Sequence, residues 1–120
     1  MTSRKVLLVI RSAPYRTFNV SVSMRVASAM IAWDTIPKLL FLDDGVYCLM
    51  RDQKPEVLGL ESHKELFETL SDLLELYADE ESMTKRGLTA DDLDERYRAR
   101  ILPTDGVVEL IEKNEVVIAF

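Results

Sequence analysis

The chain has 120 residues, 48% hydrophobic and 30% charged, with a formal net charge of -6. This length holds one domain over residues 1–120, and burying roughly two thirds of the extended-chain surface is enough to exclude global disorder at such a composition. The acidic balance, with a pI near 4.8, argues against nucleic-acid binding, and no apolar run reaches the about 20 residues that span a bilayer, so a cytoplasmic location without a membrane partner is expected.

The first element is a strand over Lys5 to Arg11, whose Val6-Leu7-Leu8-Val9-Ile10 run is apolar without alternation, as in a parallel strand covered on both faces. A loop through Ser12, Ala13, Pro14, Tyr15, Arg16 and Thr17 follows, with Pro14 keeping Ala13 out of the helical region. A helix over Asn19 to Trp33 comes next. Val22, Val26, Ala29, Met30 and Trp33 recur at spacings of three and four, which predicts one face against the sheet, with Ser21, Ser23, Arg25 and Ser28 elsewhere. Pro37 prevents extension of this helix. The strand Lys38 to Leu42 then runs into Asp43-Asp44-Gly45, where the glycine is expected to turn the chain sharply into a short helix over Val46 to Met50. Strand, helix and strand in this order form a βαβ unit with a right-handed crossover.

Beyond a polar loop at 51–55, a second amphipathic helix is predicted over Ser62 to Ser71, with Leu66, Phe67 and Leu70 inward. The next strand is Leu73 to Ala78, and its Glu75 points to a place near a sheet edge or a partner surface. Asp79-Glu80-Glu81-Ser82 opens a short helix through Arg86; its acids lead, its cations trail, and Gly87 stops it. Thr89 to Leu93 reads as a capped turn. In the strand Tyr97 to Leu102, Arg98 and Arg100 alternate with apolar residues, as at a sheet edge. Thr104 or Asp105 caps the last helix, whose apolar side is Val107, Val108, Leu110 and Ile111, and Asn114 ends it. Val116 to Phe120 is a final strand, its terminus tied down in the sheet or at an interface.

Ligands in open α/β sheets bind beyond the carboxyl ends of strands, which makes Asp43 and Asp44 candidates. The alternative is structural, one carboxylate capping the following turn and the other solvated. Magnesium would require more oxygen ligands than this pair offers, so neither a metal nor a cofactor is expected. Arg11, Ser12 and Arg16 surround the positive end of the first helix and could hold an anion, although a loop without glycine is neither a dinucleotide fingerprint nor a P-loop. A small-ligand or anion-binding module would therefore use Arg11, Ser12, Arg16, Asp43 and Asp44. His63, the sole histidine, is expected to be a solvated helix residue. Cys48 is the sole cysteine, so an internal disulfide is impossible; it reads as buried packing, or, in the alternative, as the thiol of a sulfurtransferase. Residues 1–33 carry Arg4, Lys5, Arg11, Arg16 and Arg25 and no acid, while residues 61–100 carry twelve acids and six bases. Either these regions pair within the molecule or they form two complementary surfaces.

Taken together, Ser12-Ala13-Pro14 after the first strand, Leu40-Phe41-Leu42-Asp43-Asp44-Gly45-Val46, Gln53-Lys54-Pro55, Lys85-Arg86-Gly87-Leu88 and Val116-Val117-Ile118-Ala119-Phe120 resemble the DsrE/DsrF superfamily of small sulfur-relay proteins, most closely its TusC/DsrF-like branch. The resemblance implies a three-layer α/β/α sandwich with a five-stranded parallel sheet in the order 4-3-2-1-5. It also implies assembly as a trimer or hexamer, from one chain type or with related DsrE-family subunits, in tRNA 2-thiolation or sulfur oxidation. Active subunits of that family carry persulfide sulfur on a cysteine at the start of the short helix ending in Arg-Gly. Here the matching position is Asp79, followed by Glu80 and Glu81, so the resemblance implies the fold and the assembly without the transfer step: a non-catalytic companion subunit.

Overall fold

The computed structural model describes residues 4–14, 19–51, 69 and 71–120. Five parallel strands, β1 (Val6–Ile10), β2 (Lys38–Phe41), β3 (Leu76–Asp79), β4 (Arg100–Leu102) and β5 (Val116–Ala119), form one sheet in the order β4-β3-β2-β1-β5. β1 is apolar throughout because both its faces are covered. Val6, Leu8 and Ile10 enter one core, and Leu7 and Val9 enter the other.

Topology decides which layer each helix joins. The chain steps from β1 to β2 to β3 to β4 in one direction across the sheet, so right-handed crossovers place their helices on one face. That face carries α1 (Asn19–Ala32) and α2 (Glu80–Lys85), whose Val20, Met24, Ala27 and Met83 pack with Leu8, Leu39, Phe41 and Ala78. From β4 the chain runs back across the sheet to β5, which puts α3 (Thr104–Glu112) on the opposite face, with Val107 and Leu110 against Leu7, Val9, Leu40 and Tyr77. The result is the three-layer α/β/α sandwich with the expected strand order.

The last strand is tied into the sheet as expected. The Phe120 N–H donates to the Val9 carbonyl at 2.8 Å, and the Arg11 N–H donates to the Phe120 carbonyl at 2.9 Å. Gly87 stops α2 with φ +70°, and the Thr89 N–H donates to the Asp92 carboxylate at 2.8 Å in the turn Ala90–Asp92.

Several expectations are corrected. The sheet-facing side of α1 is Val20, Ser23, Met24 and Ala27. Of the stripe expected there, Val22, Ala29 and Trp33 are exposed, while Val26 and Met30 are half-buried and pack against the edge of that core. The helix carries two apolar stripes of helical spacing, and spacing alone does not rank them. Ser23 can enter the core because its hydroxyl donates to the Val20 carbonyl at 2.6 Å. β3 starts later than expected and all four of its residues are buried, one strand in from the edge; Glu75 precedes it and faces Lys38 at 3.8 Å. Tyr97 belongs to the 3-10 turn Glu95–Tyr97, not to β4, which is the edge strand expected. Neither Thr104 nor Asp105 caps α3: Pro103 holds the N-cap position, and the Thr104 hydroxyl donates to Glu81 instead. Val108 on α3 is exposed. The helix expected over Ser62 to Ser71 lies outside the described residues apart from Thr69 and Ser71, as do the Gln53-Lys54-Pro55 loop, Arg16 and His63.

Candidate functional site

The carboxyl ends of β1, β2 and β3 meet where the chain leaves the sheet into the 3-10 segment Asp43–Leu49 and into α2. Parallel pairing aligns these ends: Ile10 is opposite Phe41, and Phe41 is opposite Ala78. The sharp turn is made by Asp43, which has φ +51°, a left-handed conformation that Asp tolerates better than most residues. Gly45 therefore serves a purpose other than the expected turn. A Cβ there would stand 1.9 Å from the Ile10 carbonyl oxygen, so glycine is required for the 3-10 segment to lie against the end of β1.

Neither carboxylate of the Asp43-Asp44 pair caps the turn; the N-cap is Leu42, without a side-chain bond. Asp43 instead accepts from Arg11 Nε at 2.8 Å, and Asp44 accepts from Arg86 at 2.9 and 3.0 Å. The Arg11–Asp43 pair is exposed and contributes under about 1 kcal/mol, but it sets Arg11's charge against a carboxylate. Ser12 is not free either: its hydroxyl accepts from Asn19 Nδ2 at 3.0 Å. Of the residues expected to bind an anion, Arg11, Ser12, Asp43 and Asp44 thus lie together at one end of the sheet, each held by a neighbour.

Ser82 joins the elements. Its hydroxyl donates to Asp79 Oδ2 at 2.5 Å and accepts from the Asp43 N–H at 2.9 Å, and its own N–H donates to Asp79 Oδ2 at 3.1 Å. Its carbonyl accepts from Arg86 Nη1 at 3.1 Å. Asp79, the last residue of β3, is therefore the N-cap of α2 and is buried. The acids that follow are exposed, and the Lys85 ammonium beside Glu81 lowers the Glu81 pKa through a hydrogen bond and its charge. Sequence reading placed the helix start correctly but missed Ser82 as its clasp. The available signal was a serine three residues after a capping aspartate.

Cys48 is fully buried, with its thiol 3.8 Å from the Ser12 carbonyl oxygen. Burial pushes the thiol pKa well above its ordinary value. At neutral pH it is a protonated side chain of the core, without the thiolate that nucleophilic sulfur chemistry requires. Among the described residues no group of three or more His, Cys, Asp or Glu side chains could hold a metal ion, and no helix is long and apolar enough to cross a membrane.

The sequence profile of the DsrE/DsrF-like family matches residues 4–120. The chain belongs to this family. A curated relative, the intracellular sulfur oxidation protein DsrF of Allochromatium vinosum, is 37% identical over 92 residues, which is 75% of this chain and 68% of DsrF. Among solved structures, the ychN protein of E. coli has the same fold with a TM-score of 0.83 at 20% identity, covering 98% of this chain and 99% of that one. A protein of unknown function from Methanobacterium thermoautotrophicum, MTH1491, aligns with a TM-score of 0.66 at 17% identity over 99% of this chain and 100% of its own.

Proposed function

We propose that this DsrE/DsrF-like chain is a companion subunit of an intracellular sulfur-relay assembly, supplying fold and contact surface but not the sulfur-carrying thiol. The observation that carries this reading is the β3–α2 junction. The position matching the family's persulfide cysteine holds Asp79, which is buried and bonded to both the hydroxyl and the N–H of Ser82. A carboxylate cannot hold a sulfane sulfur. The one thiol in the chain, Cys48, lies in the core on another element. Similarity to a sulfur oxidation protein supports the relay assignment, whether the acceptor lies in sulfur oxidation or in tRNA 2-thiolation. The assembly is a trimer or hexamer, of this chain alone or with cysteine-bearing relatives.

The test is intact-mass spectrometry after incubation with a persulfide donor, alone and together with a cysteine-bearing DsrE-family subunit. The expected result is no added sulfur on the native chain, loading of the relative, and co-elution of the two. Sulfur on this chain that disappears in Cys48→Ala would replace this reading with sulfur transfer through Cys48.

A further inference from the structure

The opposite end of the sheet carries a second concave surface. At the amino ends of β1 and β2, the segments 4–6 and 34–38 leading into the two strands and the end of α3 enclose an open cleft of about 390 Å³. Arg4, Lys5, Lys38, Asp34 and Asn114 supply its polar lining, and Val6 and Ile36 its apolar part. Its walls are fixed by main-chain bonds. Asp34 has φ +64°, and α1 closes through the Asp34 N–H on the Ile31 carbonyl at 3.0 Å and the Thr35 N–H on the Met30 carbonyl at 2.8 Å, as in a left-handed helix cap. On the other side the Lys5 carbonyl accepts from the Glu115 and Val116 N–H groups at 2.9 and 3.1 Å. Asn114 Nδ2 donates to the Leu110 carbonyl at 2.7 Å, which leaves the amide oxygen as an acceptor. A ligand would therefore meet a shape that already exists.

The charges of the cleft run against those of the chain. Acids outnumber bases 21 to 15, and elsewhere cations are taken up by carboxylates, Arg11 by Asp43, Arg86 by Asp44 and Arg98 by Asp72. Arg4 and Lys5 have no side-chain ion pair among the described residues. The acid nearest in the fold, Glu115, accepts from the main-chain N–H of Lys5 at 3.4 Å. Lys38 meets Glu75 at 3.8 Å, a looser pair than Arg11–Asp43 at 2.8 Å. Three cations thus line the cleft against one carboxylate, Asp34. Like charges gathered in this way repel one another, and an anion bearing two charges relieves that repulsion. Arginine and lysine together suit a phosphate, which the guanidinium can hold by two parallel bonds. Asp34 and Asn114 offer acceptors that a bare anion could not use but a hydroxyl could.

We propose that this amino-end cleft binds a small phosphorylated molecule bearing hydroxyl groups, with Arg4, Lys5 and Lys38 holding the phosphate and Asp34 and Asn114 accepting from the hydroxyls. The site lies at the end of the sheet away from Asp43, Asp79 and Ser82, and it depends neither on sulfur chemistry nor on assembly.

Trp33 is the sole tryptophan and adjoins Asp34, so its emission reports on the cleft. The test titrates the native chain with ribose 5-phosphate, and separately with ribose and with inorganic phosphate, following Trp33 emission and the backbone amide shifts by NMR. Ribose 5-phosphate should give a saturable change, with amide shifts clustered at residues 4–6, 34–38 and 114; ribose should give none, and inorganic phosphate should bind about tenfold more weakly. Lys38→Gln, with its fold checked by circular dichroism, should raise the dissociation constant by about tenfold, and Arg4→Gln likewise. Lys85→Gln removes the same charge from an exposed position on α2 and should leave binding unchanged. No saturable response up to about 10 mM would overturn the site. Equal weakening by Lys85→Gln and Lys38→Gln would reduce it to general charge attraction and overturn it as well, as would amide shifts centred on Arg11, Ser12 and Asp43, which would put the anion at the carboxyl ends. Inorganic phosphate binding as tightly as ribose 5-phosphate would overturn the assignment of Asp34 and Asn114 to ligand hydroxyls.

Discussion

Gly45 and Cys48 sit within four residues of each other, and each has a role that its residue type did not disclose. In sequence, a glycine after two aspartates reads as the turn; in the fold Asp43 makes the turn and Gly45 supplies room. The difference lies in a backbone oxygen, that of Ile10, from a strand more than thirty residues away, and a contact of that range leaves no local trace. Because the obstacle is main chain and cannot rotate aside, Gly45→Ala should destabilise the protein by about 3 kcal/mol or prevent folding. Urea denaturation checks this, and an unchanged midpoint would mean that the 3-10 segment is free to move away from β1. Cys48 was legible as a buried residue from its apolar neighbours, though its contact with the Ser12 carbonyl was not. Below the ordinary thiol pKa, about 8.5, the folded and unfolded chains both keep this proton, and its contribution to stability is complete. Above that value the unfolded chain loses the proton while the buried thiol, with its raised pKa, retains it. Stability should therefore fall with rising pH, by up to about 1.4 kcal/mol per unit, until the folded thiol also ionises. Cys48→Ala should be somewhat less stable at neutral pH yet show a flatter decline between about pH 9 and 10; above that range the raised pKa of Tyr77, due first to burial, adds a decline of its own. A thiol reagent should label wild-type Cys48 only at the rate of unfolding.

At the scale of elements, the β3–α2 junction shows how a short helix becomes fixed. Six residues cannot hold a helix by propensity; α2 depends on its N-terminal bonds and on Met83 in the core. Ser82 is where these supports converge, since it satisfies Asp79 and the Asp43 N–H together. Removing its hydroxyl strands an N–H and half of a buried carboxylate's bonding, so Ser82→Ala should cost about 2 kcal/mol, more than a typical lost cap. Ser82→Thr keeps the hydroxyl and should recover part of that loss; equal midpoints for Ser82→Ala and wild type would show that water replaces the clasp. The acids and cations at the two ends of α2 were visible in sequence because they are local. The clasp was not, because its second partner arrives from the turn after β2. α1 presents the reverse case. Its existence and bounds were legible from helical spacing, but the choice between its two apolar stripes was made by the sheet, and a monomer's sequence does not mark which stripe meets its own core.

For the molecule as a whole, strand sequence and strand order have different origins. The buried strands are legible from their unbroken apolar runs, and β4 from the alternation that marks an edge. The order β4-β3-β2-β1-β5 is set by the reversal after β4, for which no residue pattern stands in the chain; it became an expectation only through the family resemblance. The same reversal leaves α3 as the described helix on its face, and it makes β5 an edge strand that closes the fold through the bonds of Phe120 to Val9 and Arg11. Protection should follow this order. Amides of β1 and β2, paired on both sides and buried, should exchange with solvent only through global unfolding, while those of β5, with exposed Val117 and Ile118, and of the three-residue β4 should exchange through smaller openings. Native-state hydrogen exchange measures this directly, and equal opening free energies in β1 and β5 would contradict it.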